Sequence, residues 1–570
     1  MRFATNLKIV LCRVCMAWCL SIIVSSGSWA AVLLGPADAG RIGEREENQQ
    51  PTLPLVTAPL EKPREMSPPG QAPEGSERTT IHVRSVSILG TRVFSKAELH
   101  DLYAAYLDHD ITANKVWTLA EQVTEKYRKA GYFLSRAYVP QQDMKNGNIL
   151  LRVVEGFIGE VRCDDALAKN HLIKQGTDKL LSFRPLKADQ IENVLLLLND
   201  LPGVSLQAIM EEMPSGTGAE GAVRLVLKNR PEPRVTGSVG VDNLGSRFLG
   251  PYEGQAQTQV VVFPNQRTTL NVFSSLPWNE VKYGSLKHEA TLVPGGTLTV
   301  YGSRTAAAPG YTLKPEEIKS RSTAVGTAFE YSFIRQRDEN VRGRVALEGR
   351  DTSSDTLGSP LTRDRVRTAS IGMSYQNADR FSGQNFASAT VTQGLPVLGS
   401  NRPGQLNLSR ADARPDFTKM GLKASRVQAL PNTWEVSTAV AAQVASGTLY
   451  SSEQFGHGGQ AFGRAYDDSE IMGDHGVAFS AEVRYGGAPA WGGFLLIPYG
   501  FYDRGTVWNT ASTAQKSESG SSAGVGFRVA SDYGVSGSFG LAFPLTRRIT
   551  TPVYGNGENP RYFFQIEHQF

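Results

Sequence analysis

From Val235 to the C-terminal Phe570, apolar residues alternate with small or polar ones at a period of two. The alternation is clearest in the stretches 235–242, 255–262 and 535–543. A period of two places successive side chains on opposite faces of a β-strand. Each strand would therefore have one apolar face, which points either into the core of a soluble sandwich or towards lipid around a transmembrane barrel.

The end of the chain favours the barrel. Tyr562, Phe564, Ile566 and Phe570 share one face of a final strand, and a last strand that ends in an aromatic residue resembles the tail by which outer-membrane barrels are recognised. Phe570 is therefore predicted to be the membrane-insertion tail. Roughly 10 residues per tilted strand plus turns predict a barrel of about 16 antiparallel strands over residues 232–570.

The first 30 residues have the parts of a secretory signal peptide. An apolar run covers Val14–Val24, and Ser28-Trp29-Ala30 supplies the small residues that a signal peptidase reads, so residues 1–30 are predicted to be removed. The run is too short for an uncleaved anchor, which needs about 20 apolar residues. No later segment approaches 18 consecutive apolar residues, so only a closed barrel could cross a membrane. After cleavage Cys163 is the sole cysteine and cannot form an internal disulfide.

A proline-rich linker follows the signal peptide, over residues 31–79. Its eight prolines and few aromatic or β-branched residues favour an extended chain without a core of its own. A short helix around Asp38 to Glu47 could form despite Gly40 and Gly43, and we treat it as a candidate plug for the barrel.

Two small α/β modules are predicted next, over residues 80–156 and 157–231. The first has the order β-α-α-β-β, beginning with a strand over Ile81–Leu89 and with a capping box formed by Ser95 and Glu98. The second repeats this order in a looser form. Such repetition predicts tandem copies of one unit.

Several motifs resemble the ShlB/FhaC/HecB family of two-partner secretion transporters, which carry POTRA domains before an outer-membrane barrel. The resemblance covers roughly residues 80–570. The similar segments are Gly131–Pro140 and Val153–Gly156 in the first module, Asp242–Ser246 at the barrel start, Ser451–Gly459, Phe462–Tyr466 and Gly473–Gly476 in a region similar to the family's sixth extracellular loop, and Phe501–Val507 in a strand with an inward carboxylate.

The resemblance implies that the loop folds back into the barrel and has a tip motif at Gly463, Arg464, Ala465 and Tyr466. The family usually has glycine where this chain has Ala465, which puts the backbone geometry of the tip in question because alanine adopts positive φ less easily. A guanidinium and a carboxylate can form a bidentate contact. We therefore expect Arg464 to lock the loop onto Asp503; the alternative is two solvated lumenal charges, worth under about 1 kcal/mol.

The resemblance also implies the function: export of an unfolded secreted partner, captured by the POTRA modules, through the barrel pore. The implied partners are a large exoprotein of adhesin, haemolysin or haem-binding type, outer-membrane lipids, and the barrel-assembly machinery and periplasmic chaperones during biogenesis. A barrel-assembly insertase and a nutrient receptor or porin remain as alternatives.

An enzyme is not expected, because no set of residues forms a catalytic constellation. The eight histidines show no metal-ligand spacing, so neither a metal nor a cofactor is predicted. The formal net charge of +4, without a concentrated basic stripe, argues against binding of nucleic acid.

Overall fold

The computed structural model describes residues 35–43, 72–213, 218–230, 232–488, 492–510, 516–553 and 555–570. The predicted signal peptide lies outside the described residues, as does most of the proline-rich linker. In the described part of the chain, no helix is long and apolar enough to cross a bilayer.

The first module packs a long helix on a three-stranded sheet. Its sheet order is β2-β5-β4, with β2 parallel to β5, and β1 and β3 form a separate antiparallel pair. Helix α2 buries Val116, Leu119, Val123 and Tyr127 against the sheet, which explains its helical spacing of apolar residues. The elements are β1 Thr80–His82, β2 Ser85–Leu89, α1 Lys96–His100, β3 Asp110–Thr112, α2 Asn114–Lys129, β4 Arg136–Tyr138 and β5 Asn148–Val154.

The strand predicted over Ile81–Leu89 is broken into two, so the order is β-β-α-β-α-β-β. The backbone of Val83 accepts from Asp108 at 2.8 Å and donates to His109 at 3.0 Å. These hydrogen bonds join the end of β1 to the residues just before β3. They hold β1 apart from the main sheet. The capping box of Ser95 and Glu98 is present as predicted.

The second module repeats the sheet pattern of the first. Its order is β6-β8-β7, with β6 parallel to β8, so its first strand again lies beside its last. Apolar residues of α4 and α5 fill one core against this sheet. The elements are β6 Phe157–Cys163, α3 Asp165–Ala168, α4 His171–Ser182, α5 Ala188–Asn199, β7 Leu206–Glu212 and β8 Ala222–Asn229.

Sixteen antiparallel strands form a closed barrel, which confirms the predicted fold class. Closure occurs where β26 pairs with β9, from Gln565 opposite Asp242 to Gln569 opposite Ser238. The strands are β9 Val235–Asp242, β10 Glu253–Phe263, β11 Gln266–Ser275, β12 Val281–Val293, β13 Gly296–Ala307, β14 Lys319–Arg335, β15 Glu339–Thr356, β16 Ser359–Ala378, β17 Gly383–Gly394, β18 Thr418–Ala429, β19 Trp434–Ala445, β22 His475–Tyr485, β23 Phe494–Trp508, β24 Ser517–Ser531, β25 Val535–Pro544 and β26 Arg561–Gln569.

The alternation in the sequence divides each barrel strand between an outer and an inner face. On β14, Val325, Phe329 and Phe333 are exposed on the outside, whereas Ser322 and Ala324 are buried on the inside. An outer apolar band of this kind is what lipid requires.

The segment between β19 and β22, residues 446–474, folds back into the interior of the barrel. We call this segment the inward loop and the barrel interior the lumen. The loop carries a short hairpin, β20 Phe455–His457 paired with β21 Ile471–Gly473, and this hairpin lies against β22, β23 and β24.

The second module is attached to the barrel by an ion pair. Arg335, the last residue of β14, donates from Nε and Nη2 to the two carboxylate oxygens of Asp200 at 2.8 and 2.9 Å. Asp200 ends helix α5, and Glu192 on the same helix pairs with Arg337 at 2.9 Å. This joint fixes which end of the barrel faces the modules.

Candidate functional site

Arg464 and Asp503 meet in the lumen. The Arg464 guanidinium donates from Nε and Nη2 to Asp503 Oδ2 and Oδ1 at 3.1 and 3.0 Å, and the Arg464 backbone N–H donates to Oδ2 at 3.1 Å. The two side chains are 7 % and 0 % exposed. The contact is therefore a buried bidentate pair, in which removal of one partner typically costs about 3–5 kcal/mol because the other charge stays desolvated.

Other polar groups complete the surroundings of this pair. The hydroxyl groups of Ser480 and Ser522 donate to Asp503 at 2.8 and 3.3 Å. The guanidinium of Arg464 also lies 3.7 Å from the centre of the Phe501 ring, a cation–π contact. The carboxylate oxygens of Asp503 thus accept five hydrogen bonds, which satisfy this buried polar group.

Glu482 is a second acceptor that the sequence did not reveal as part of the site. Arg464 Nη1 donates to Glu482 Oε2 at 2.5 Å, and Arg484 and Arg528 contact the other oxygen of Glu482 at 2.6 and 2.7 Å. Glu482 lies two residues after Ser480 on β22, so alternation places both side chains on the inner face. This is the one sequence signal that could have indicated Glu482. The loop tip is therefore bound to two carboxylates on neighbouring strands of the wall.

The positive φ of the tip falls on Gly463, at +93°. Ala465 is not among the residues with positive φ, and it is buried in an apolar cluster with Tyr466 and Phe501. The departure from glycine at this position therefore strains no backbone. Tyr466 fixes the tip further, since its hydroxyl lies 3.1 Å from the carbonyl oxygens of both Ser521 and Arg547.

His457 lies fully buried beneath the tip. Within the described residues, neither ring nitrogen makes a hydrogen bond of normal geometry, although the backbone of Gly520 lies close to the ring. Burial lowers the pKa of His457 to about 4, although the nearby charge of Asp503 acts in the opposite direction. The imidazole is therefore neutral at neutral pH, and protonation would place a cation among groups already occupied by Arg464.

A second charge cluster binds the part of the inward loop that follows the tip. Arg247, in the loop between β9 and β10, donates from Nη1 to Asp467 at 2.7 Å and from Nη2 to both oxygens of Glu470 at 2.7 and 2.9 Å. Arg561 on β26 contacts Asp467 at 3.3 Å and donates to the Tyr466 carbonyl at 2.6 Å. Arg247 directly follows the motif Asp242–Ser246, but the sequence alone gave no partner for it.

The chain segment 35–43 also lies in the lumen, against the inward loop. Arg41 donates from Nη1 to the carbonyl oxygens of Ser451 and Gln454 at 2.9 and 2.8 Å. From the wall, Arg350 donates to the Gly40 carbonyl at 2.6 Å. Two separate segments of the chain therefore occupy the same lumen.

Phe570 lies far from the loop site. It is exposed at the end of β26, and its backbone N–H and carbonyl group both pair with Gly237 at 2.9 Å. Among the described residues, no group of three or more His, Cys, Asp and Glu side chains could hold a metal ion.

Comparison with known proteins gives one consistent family. The profile described as haemolysin secretion/activation protein ShlB/FhaC/HecB matches residues 221–528, and that of the ShlB-type POTRA domain matches residues 81–156. The outer membrane transporter CdiB of Escherichia coli is 24% identical over 92% of this chain and 90% of its own. The heme/hemopexin transporter protein HuxB of Haemophilus influenzae is 23% identical over 79% and 81%. The solved structure of CdiB from Escherichia coli superposes with a TM-score of 0.70, at 18% identity, over 93% of this chain and 96% of that chain.

Proposed function

Because this chain belongs to the ShlB/FhaC/HecB family of haemolysin secretion/activation proteins, we propose that it exports one large secreted partner protein through its barrel, as in two-partner secretion. The barrel is in the outer membrane, and the POTRA region faces the periplasm. Members of the family are transporters. The export step proposed here uses the protein as a conduit and needs no catalytic residue.

The main support is the way in which the lumen is filled. The inward loop is attached to the wall through buried ion pairs, chiefly Arg464 with Asp503 and Glu482. Ion pairs can be exchanged for water or for other charged partners without breaking the hydrogen bonds of the barrel wall. A channel of this design is closed at rest, and it opens when the loop is displaced while the sheet stays intact.

Segment 35–43 adds a second obstruction, and we propose that it acts as the plug expected from the sequence. Its contacts with the loop and wall are both polar, through Arg41 and Arg350, and apolar, because Ala37, Ala39 and Ile42 are buried against side chains of the barrel. Withdrawal of this segment would therefore expose these apolar residues as well as break the polar contacts.

Capture of the client is assigned to the two modules, which are predicted to span residues 80–156 and 157–231. Each sheet has an edge strand with one paired neighbour among the described residues, β2 in the first module and β6 in the second. An extended client can add to such an edge through backbone hydrogen bonds. A photo-cross-linker at Ser87 on β2 should trap the client in cells, whereas one at Lys129 on α2 should not; equal trapping at both positions would contradict strand addition.

The client is a large exoprotein, and its type is still to be determined among an adhesin, a haemolysin and a haem-binding protein. The test compares the surface and secreted proteomes of cells with and without this protein. Loss of one large secreted protein is expected. Loss of many barrels would indicate an insertase instead, and loss of small-solute uptake would indicate a receptor or porin.

The loop lock is tested by exchanging its charges. Arg464→Asp and Asp503→Arg should each reduce export at least tenfold, because each leaves like charges together in a buried site. The double variant should recover part of the loss, because a cation on β23 would again face a carboxylate on the loop tip as well as Glu482. Wild-type export in both single variants would rule out the lock.

A further inference from the structure

Across five neighbouring strands, β12 to β16, the outer face is apolar along the middle and carries basic residues at the extracellular end of four of them, β12, β13, β14 and β16. On β14 the outward side chains run from Phe333 through Val325 to Arg321, and all three are exposed. Arg335, at the opposite end of this strand, bonds the second module. Arg321 therefore lies at the extracellular end, just beyond the apolar band.

The strand register gathers the basic residues into two rows. Neighbouring strands are about 4.8 Å apart, so five strands span roughly 19 Å. From β12 to β16, the upper row consists of Lys282, Ala306, Arg321, Ser353 and Arg363, and the row below it of Gly284, Arg304, Thr323, Asp351 and Arg365. Small residues alternate with long basic ones, which leaves room between the basic side chains for a group of several atoms.

Most of these charges have no partner within the protein. Arg363 pairs with Asp355, and Asp351 is occupied by Arg367 from the same face. In contrast, Lys282, Arg304, Arg321 and Arg365 are exposed, and none of them has a hydrogen-bonding or carboxylate partner for its side chain in the described ranges. We call these four side chains the outer basic face.

The apolar surface directly below the outer basic face is continuous with it. Leu286, Val300, Val325 and Leu347 are exposed on the same side of the same strands. A ligand that fits both surfaces has anionic groups above and hydrocarbon chains below. Inorganic phosphate would use the upper surface alone, and a nucleic acid would gain nothing from the apolar part.

We propose that the outer basic face binds the phosphate groups of a lipid in the outer leaflet, with its acyl chains lying on the apolar residues below. Arginine suits this role because its guanidinium forms bidentate, charge-assisted contacts with phosphate oxygens. The site holds the barrel against the outer leaflet, a role separate from export and independent of the identity of the client.

The test measures lipids retained by the purified full-length protein in native mass spectrometry. Diphosphoryl lipid A and its enzymatically dephosphorylated form are offered in phosphatidylcholine nanodiscs. We expect the wild type to retain the phosphorylated form, and the variant Arg304→Gln/Arg321→Gln/Arg365→Gln to lose on the order of 100-fold in affinity for it. The matched control, Arg84→Gln/Arg128→Gln/Lys129→Gln, removes the same charge from exposed positions on the first module and should retain the lipid as the wild type does.

A lysine version of the triple variant, Arg304→Lys/Arg321→Lys/Arg365→Lys, should restore most of the retention, since it keeps the charge. This variant separates loss of the site from loss of folding. Equal retention of the two lipid forms by the wild type, or equal retention by the wild type and the glutamine variant, would overturn the proposal. Full displacement of the lipid by millimolar inorganic phosphate would also overturn it, because the site would then recognise the free ion.

Discussion

Gly505 on β23 and His457 on the inward loop compete for the same space. A Cβ added to Gly505 would lie 2.2 Å from Nδ1 of His457, so the ring packs directly on the glycine backbone. The glycine is therefore required by the loop when it is docked, and the barrel strand itself makes no such demand.

Gly505→Ala should weaken docking of the inward loop by about 1–3 kcal/mol through overpacking. In planar bilayers this should appear as more frequent channel opening. His457→Ser in the same chain should restore the wild-type frequency by making room for the methyl group. Gly421→Ala is the control, since an added Cβ there meets nothing within 4 Å; an equal effect at Gly421 would contradict the interpretation.

His457 should make the docked loop sensitive to acid. Its pKa is about 4 in the docked state and about 6.5 in a solvated loop. Between these two pH values His457 is protonated in the released loop and neutral in the docked loop. Docking is therefore unaffected above pH 6.5 and weakens as the pH falls towards 4, by roughly 2 kcal/mol at pH 5. Channel opening should rise between pH 7.5 and 5 in the wild type and much less in His457→Leu. A wild-type channel with constant opening over this range would refute the prediction.

The residues of the site were only partly predictable. Arg464 and Asp503 are 39 positions apart, and their pairing was inferred from resemblance to a family, since alternation shows only that a side chain points inward. Alternation could not show that Glu482 contacts three arginines or that Arg247 forms an ion pair with Asp467. Such contacts depend on how deep the loop enters, which local sequence does not encode.

At the scale of elements, the joint between helix α5 and strand β14 holds the second module in one position relative to the barrel. Arg335 is 5 % exposed and Asp200 is 37 % exposed, so the pair is half shielded from solvent. Arg335 also donates to Asn340 at 3.1 Å within the barrel. Both connections end on one guanidinium.

Arg335→Gln should loosen the joint by about 1–3 kcal/mol, because Asp200 loses a charge-assisted bidentate contact. The expected result is a broader distance distribution between spin labels on α5 and on the turn after β14, with the barrel still folded. Arg342→Gln, on β15, is the control because its contact with Glu330 lies within the barrel at 3.6 Å. Unchanged distances in Arg335→Gln would show that the other contacts, which include the pair of Glu192 with Arg337, hold the joint without this guanidinium.

Local patterns predicted elements well where a single face is buried. Helix α2 buries apolar residues at helical spacing, and strand β5 buries every second residue over most of its length. The break between β1 and β2 falls where the alternation changes phase, from odd positions at Ile81 and Val83 to even positions from Val86 onwards, and the prediction of one continuous strand missed this signal. The break results from pairing with β3, a segment almost thirty residues later. Tertiary pairing, which no local window contains, decides such cases.

At the scale of the whole molecule, length and alternation were enough to predict a barrel of about 16 strands, because strand length is fixed by the bilayer. The refolding of residues 446–474 into the lumen left no such mark in the periodicity. That feature was expected only because the segment resembles the loop of a family.

The assembly of the whole barrel should depend on Phe570. Phe570 is 64 % exposed and carries few contacts beyond its backbone pairing with Gly237. Phe570→Ala should therefore change the stability of the folded barrel little but reduce, several-fold, the amount that reaches the outer membrane. The heat-modifiable folded fraction measures this. Phe381→Ala, at an equally exposed aromatic in a turn, should leave that amount unchanged; equal losses in both variants would contradict a specific tail.

The wall of the barrel is unequally bonded around its circumference. Five positions pair between β9 and β26, with Gly237 and Phe570 as a sixth at the end, against eighteen between β15 and β16. Beside the short seam, Arg561 of β26 reaches both the Gly245 carbonyl after β9 and the inward loop, while Arg247 from the far side of the seam holds the same loop. The inward loop thus connects the two sides of the seam between β9 and β26, where the fewest residue pairs close the barrel. When the inward loop leaves the lumen to open a path for the client, its contacts across this seam are lost. Opening of the channel and the stability of the barrel wall are therefore mechanically linked.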